Sequence, residues 1–186
     1  MKIKDMIESC AVYLGRQEII DYFNNCYEYD TTEIESNVNT MIKLSNLVIS
    51  ELSLGYIDLI TTEEVVASSG KINYLDLSKT AVKILDVLDY NGNSISFKVK
   101  EDHVETSTNA RKVKYKYLPP EYQLNDEIGY SENDLSLSTL SYGLCAEFCI
   151  SQCRFDEALM WRNRYIQEIN KLIKPKNCTI KGRIWI

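Results

Sequence analysis

Leu135-Ser-Leu-Ser-Thr-Leu140-Ser-Tyr-Gly-Leu-Cys145-Ala-Glu-Phe148-Cys-Ile-Ser-Gln-Cys153-Arg-Phe155-Asp-Glu-Ala-Leu-Met-Trp161-Arg-Asn-Arg-Tyr165-Ile-Gln-Glu-Ile-Asn-Lys-Leu172 is the run that decides the fold. Its apolar residues recur at helical spacing in two sets. Leu140, Leu144, Phe148 and Cys153 belong to one predicted helix. Phe155, Ala158, Leu159, Trp161, Tyr165, Ile166, Ile169 and Leu172 belong to a second. Phe148, Trp161 and Tyr165 are the large side chains expected in the helical core, facing Ile34, Val38, Ile42 or Ile49. Pro175 stops the second helix, because proline donates no backbone hydrogen bond and restrains the residue before it.

Outward from this run, the chain divides into four parts. Residues 1–60 read as N-terminal helices. Residues 2–24 read as one helix or two short ones: Ile3, Met6, Ile7, Cys10 and Leu14 share one face, and Ile19, Ile20 and Phe23 continue it after Gly15, either a kink or a break. A long helix then opens at Thr31 or Thr32, with Glu33 and Glu35 in the first turn where the helix dipole favours acids. Residues 61–120 change period. Val65-Val66, Lys71 to Leu75, Val82 to Val87, Ser94 to Val99, His103-Val104 and Lys112 to Tyr117 are six strand candidates, and Asn91-Gly92 is a hairpin signal. Pro119-Pro120 closes this antiparallel β module. Residues 121–174 return through a loop to the two C-terminal helices. The fold class is therefore α+β: two N-terminal and two C-terminal helices in one bundle, with an inserted β module. The two pairs must meet, because neither buries its stripe alone.

Residues 175–186 are too short to build a core, yet end on Lys181-Gly-Arg183-Ile184-Trp185-Ile186. A Trp between two isoleucines is costly to leave in water. This segment is expected to be a docking arm, the alternative being that it packs back on its own helices. Its charge supports docking: the last sixteen residues hold five cations and no acid, while Glu121, Asp126, Glu127, Glu132 and Asp134 form an opposite block. Such segregation suits self-assembly or a partner of opposite sign.

A formal net charge of −6 argues against a general nucleic-acid binder. There is no long apolar run to span a membrane and no apolar signal core at the N-terminus, so an intracellular product is expected. Cys145, Cys149 and Cys153 lie four apart and read as small thiols in a helix interface, without the spacing of a zinc site. No nucleophile elbow, phosphate loop or dinucleotide fingerprint occurs. The sole histidine, His103, lies beside Asp102 and Glu105. That trio is the basis for a small metal-dependent hydrolase or nuclease as an alternative function, against a plain strand-edge histidine. No catalytic residue, cofactor or metal ligand is expected.

Three stretches carry a family resemblance: Leu140-Ser-Tyr-Gly-Leu-Cys-Ala-Glu-Phe-Cys-Ile150, Phe155-Asp-Glu-Ala-Leu-Met-Trp-Arg-Asn-Arg-Tyr165 and Lys181-Gly-Arg-Ile-Trp185. With Tyr13-Leu-Gly15 at the start and a β insert ending Tyr115-Lys-Tyr-Leu-Pro-Pro120, the chain resembles the head–tail connector (adaptor) proteins of tailed bacteriophages, in their podovirus-type form. The resemblance implies a homo-oligomeric ring, a dodecamer, below the portal protein in the virion at the head–tail junction. Duplex DNA would pass through its channel without specific binding, and a tail or tail-tube protein would follow it. The arm residues Lys181, Arg183, Ile184 and Trp185 would dock on the portal. The closest competing role is a tail-completion or stopper protein.

Overall fold

The structure, a computed structural model, describes residues 1–26, 31–130 and 135–173. It has an α+β fold. Five α-helices are present among these residues: α1 (Ile3–Leu14), α2 (Gln17–Phe23), α3 (Thr32–Gly55), α4 (Leu137–Ser151) and α5 (Phe155–Leu172). Of the two readings of residues 2–24, the two short helices are present, so the N-terminal part holds three helices in all. Gly15 ends α1 outright instead of kinking a single helix. Its φ of 66° is left-handed, and the next amide, from Arg16, donates back to Ala11 O at 2.8 Å. A glycine adopts this conformation without the Cβ clash other residues suffer.

Six strands lie between Ile60 and Tyr117: β1 (Ile60–Glu64), β2 (Lys71–Asn73), β3 (Ala81–Leu88), β4 (Lys98–Val99), β5 (His103–Glu105) and β6 (Lys112–Tyr117). They form two antiparallel three-stranded sheets, ordered β1-β6-β3 and β2-β5-β4. On β6, Val113, Tyr115 and Tyr117 point inward while Lys112, Lys114 and Lys116 point away, the period-2 alternation of a half-buried strand. Three strand expectations shift. The first strand precedes Val65-Val66, residues 74–76 form a 3-10 turn, and of Ser94 to Val99 only Lys98–Val99 is a strand. The Asn91-Gly92 turn is present. Asp89 Oδ1 accepts the Asn91 and Asn93 amides, both at 2.8 Å, and Gly92 takes φ 82°.

At the centre lies α4, packed against α5, α1 and α3. That position explains its composition. Leu140, Ser141, Gly143, Leu144, Cys145, Ala146, Phe148 and Cys149 are all buried, so several faces of the helix must be small or apolar. Ser141 hides its hydroxyl by donating to Leu137 O at 2.9 Å. Its N-terminus is capped by Ser136, whose hydroxyl accepts the Thr139 amide.

The segment after β6 ties the module to the helices. Asn46 of α3 clasps Tyr122, accepting its amide at 2.8 Å and donating to its carbonyl at 2.9 Å. Lys4 donates its amide to Leu124 O at 2.8 Å, and Ile128 donates to Met1 O at 2.9 Å. Tyr130 reaches Ile57 O at 2.9 Å with its hydroxyl.

Candidate assembly surface

The α4–α5 hairpin turns on Cys153. Arg154 donates its amide to Cys149 O at 2.8 Å and Cys153 to Ile150 O at 2.9 Å, a Schellman closure that satisfies the last carbonyls of α4. The position is left-handed, φ 57°, where glycine is the usual occupant. Cys153 is therefore not on the buried face of α4 but exposed in the turn. Cys145 and Cys149 are buried, and Cys145 Sγ lies 3.2 Å from Cys10 Sγ on α1. The bond to Cys145, together with burial, holds the Cys10 thiol well above its usual range, so it stays a neutral, packed thiol.

The core residues of the hairpin take partners that helical periodicity does not reveal. Trp161, 6% exposed, stacks on Tyr13 of α1 and Tyr142 of α4, each ring centre 5.7 Å away. Tyr13 and Tyr142 themselves lie 5.3 Å apart, so the three rings form a triangle joining three helices. Phe148, Trp161 and Tyr165 are buried in one hydrophobic core with Ile34, Val38 and Ile49, with Ile42 packed against it, and the two tyrosine rings are the stacking partners of Trp161. Tyr165 is fully buried beside Gly143 and Val48. Burial pushes its hydroxyl well above the usual tyrosine range, with the Glu51 carboxylate adding to the effect. Phe148 is fully buried, with the Arg16 guanidinium 5.8 Å from its ring centre. Arg162 knits α3, α4 and α5. It meets Glu51 in a two-pronged pair at 2.6 and 3.1 Å and reaches Glu147 at 3.3 Å.

The apolar set of α5 splits in two. Ala158, Trp161, Tyr165 and Ile169 face the core. Phe155, Leu159, Ile166 and Ile173 do not: they are 66%, 63%, 37% and 42% exposed. Their spacing of four, seven and seven residues puts them in one line along the helix, about 27 Å long at 1.5 Å per residue. Arg162, held by Glu51 and Glu147, interrupts the line between Leu159 and Ile166, but a row of exposed apolar side chains of this length is the kind of feature that marks an association surface. Periodicity could not separate the two sets, since residues on adjoining faces of a helix share the same spacing.

Asp102, His103 and Glu105 do come together on β5 and its approach. His103 Nδ1 lies 2.5 Å from Asp102 Oδ1, and Nε2 lies 3.8 Å from Glu105 Oε1. The bond to His103 holds the Asp102 carboxyl below its usual range. Nε2 is buried without a hydrogen-bond partner, and no hydroxyl or thiol bonds the ring among the described residues. No cluster of His, Cys, Asp and Glu among those residues is arranged to hold a metal. Lys181, Arg183, Ile184 and Trp185 lie outside the described residues. No described helix is long and apolar enough to cross a membrane. No family model matches the chain, and no curated protein matches its sequence.

Proposed function

We propose that this chain is a structural head–tail connector of a tailed bacteriophage, a ring-forming adaptor seated below the portal protein in the virion. The observation that carries the reading is the bare apolar line Phe155-Leu159-Ile166-Ile173, which continues directly into a cationic, Trp-bearing segment. A surface of that kind is suited to binding other protein chains. The meeting of Tyr13, Tyr142 and Trp161 supports it further, because each comes from one of the stretches that carry the family resemblance. On this reading the chain has no catalytic residue and no cofactor, and copies of it line a channel for duplex DNA. A net charge of −6 per subunit, repeated round a ring, favours passage of DNA over grip.

The arm places Ile184 and Trp185 in an apolar groove of the portal and Lys181 and Arg183 against portal acids. Burying a Trp and an Ile supplies about 3–5 kcal/mol before ordering costs. Electron microscopy of the protein mixed with the portal ring of the same phage tests the reading: a ring stacked on the portal is expected. Deleting residues 177–186 should leave a subunit that folds and melts normally but no longer joins the portal. A deletion that abolishes folding would place Trp185 in the subunit's own core. Submicromolar, salt-sensitive binding of duplex DNA by the isolated protein would count against the connector reading.

A further inference from the structure

A closed ring needs two different surfaces on each subunit, one complementary to the other. The outer line of α5, exposed and apolar, has the properties of one. A groove between α2, α3 and the turn at residues 123–126 has the properties of the second. It encloses about 490 Å³. Val38, Ile42 and Leu124 give it an apolar floor, and Glu35 and Asp126 stand on its rim. Its lining holds two carboxylates and no Lys, Arg or His. The groove is distinct from the α5 side of the molecule. Glu51 is the α3 residue bonded to α5. Ile42 lies nine positions before it, about 14 Å along the helix.

We propose that this groove receives the outer line of α5 from a second copy of this chain, an inference that rests on the connector reading. Two features match. Glu35 and Ile42 line the groove seven residues apart, two helical turns or about 10.5 Å, and Leu159, Ile166 and Ile173 repeat at the same interval. The side chains of one helix then fall into the gaps of the other, as packed helices require. Charge matches too. Lys171, paired with Glu168 on the surface of α5, lies in its last turn, and Lys174 follows it, with Lys181 and Arg183 left to the portal. Residues 1–60, which include α2 and α3, hold ten carboxylates and four cations. The cation-bearing C-terminal turn of α5 in one subunit is thus attracted to the acidic N-terminal helices of the next. Two α5 lines placed face to face would instead close a dimer and leave the groove bare.

Sedimentation velocity on the full-length protein and two variants tests the assignment. Asn39→Trp fills the groove from its exposed rim, and Ile166→Asp breaks the outer line. Each alone should remain monomeric under conditions where the unaltered protein assembles, with an unchanged thermal melt. Mixed, they should form a one-to-one dimer and nothing larger, because only one intact line and one intact groove remain. Should Ile166→Asp fail to fold, Leu159→Asp, at a more exposed site, replaces it. Variants that assemble like the unaltered protein, or a mixture that stays monomeric, would overturn the groove assignment while leaving the connector reading standing. An unaltered chain that stays monomeric both alone and with the portal ring would overturn both.

Discussion

Gly143 offers a sharp test of how the bundle is packed. A Cβ at this position would lie 2.8 Å from Val48 Cγ1 and 2.9 Å from Tyr165 Cε2, closer than carbon atoms tolerate. Both neighbours are fully buried, so neither side chain can swing into solvent to make room. Two effects oppose each other in Gly143→Ala. Alanine is the better helix former by about 1 kcal/mol. Overpacking a closed core costs about 1–3 kcal/mol. Because the clash is met on two sides, by α3 and by α5, the second effect wins, with a net loss of up to about 2 kcal/mol. For a chain of this size that lowers Tm by up to about 8 °C. Gly55→Ala is the control: Gly55 closes α3 and a Cβ there meets nothing within 4 Å. It should be neutral or stabilising by up to about 1 kcal/mol. Denaturant titration of both variants measures the contrast. Trimming Val48 to Ala in the Gly143→Ala background should cost less than the two changes summed, since it frees the space the methyl needs. If Gly143→Ala proved as stable as Gly55→Ala, the close approach of α3, α4 and α5 at this point would be wrong.

Trp161→Ala should cost about 3–5 kcal/mol in a chemical melt, because it removes the shared member of the three-ring triangle and leaves a cavity. Cys153→Gly should raise stability by about 1 kcal/mol, since the left-handed turn position then carries no Cβ. Thiol-reactive probes should label exposed Cys26 and Cys153 in the folded protein and reach Cys10, Cys145 and Cys149 only on unfolding. Asp89 should titrate below the ordinary aspartate value, because the Asn93 and Asn91 amides bond its ionised form. Its contribution to the hairpin is then complete above about pH 3.9 and lost as pH falls through the lowered folded value. The amide shifts of Asn91 and Asn93 followed by NMR report this midpoint.

The sequence by itself determined the α+β class and the order of helices, strands and helices, because each element declares its own period along the chain. Leu140, Leu144 and Phe148 repeat as one face of a helix, and Lys112 to Tyr117 alternates as a strand. Turn chemistry was legible for the same local reason at Gly15 and Asn91-Gly92. Cys153 was not, since a left-handed cysteine has no composition signal and its spacing from Cys145 and Cys149 continues the helix. What only the tertiary structure decided is which of several apolar faces found a partner. Phe155, Leu159 and Ile166 carry the same periodicity as Trp161 and Tyr165, yet α4 covers one line of α5 and leaves the other in water. The partners of Trp161 come from residues 13 and 142, and the floor of the α3 groove from residues 38, 42 and 124. Spacing along a chain fixes which side chains share a face. Distance between segments far apart in sequence fixes what that face meets.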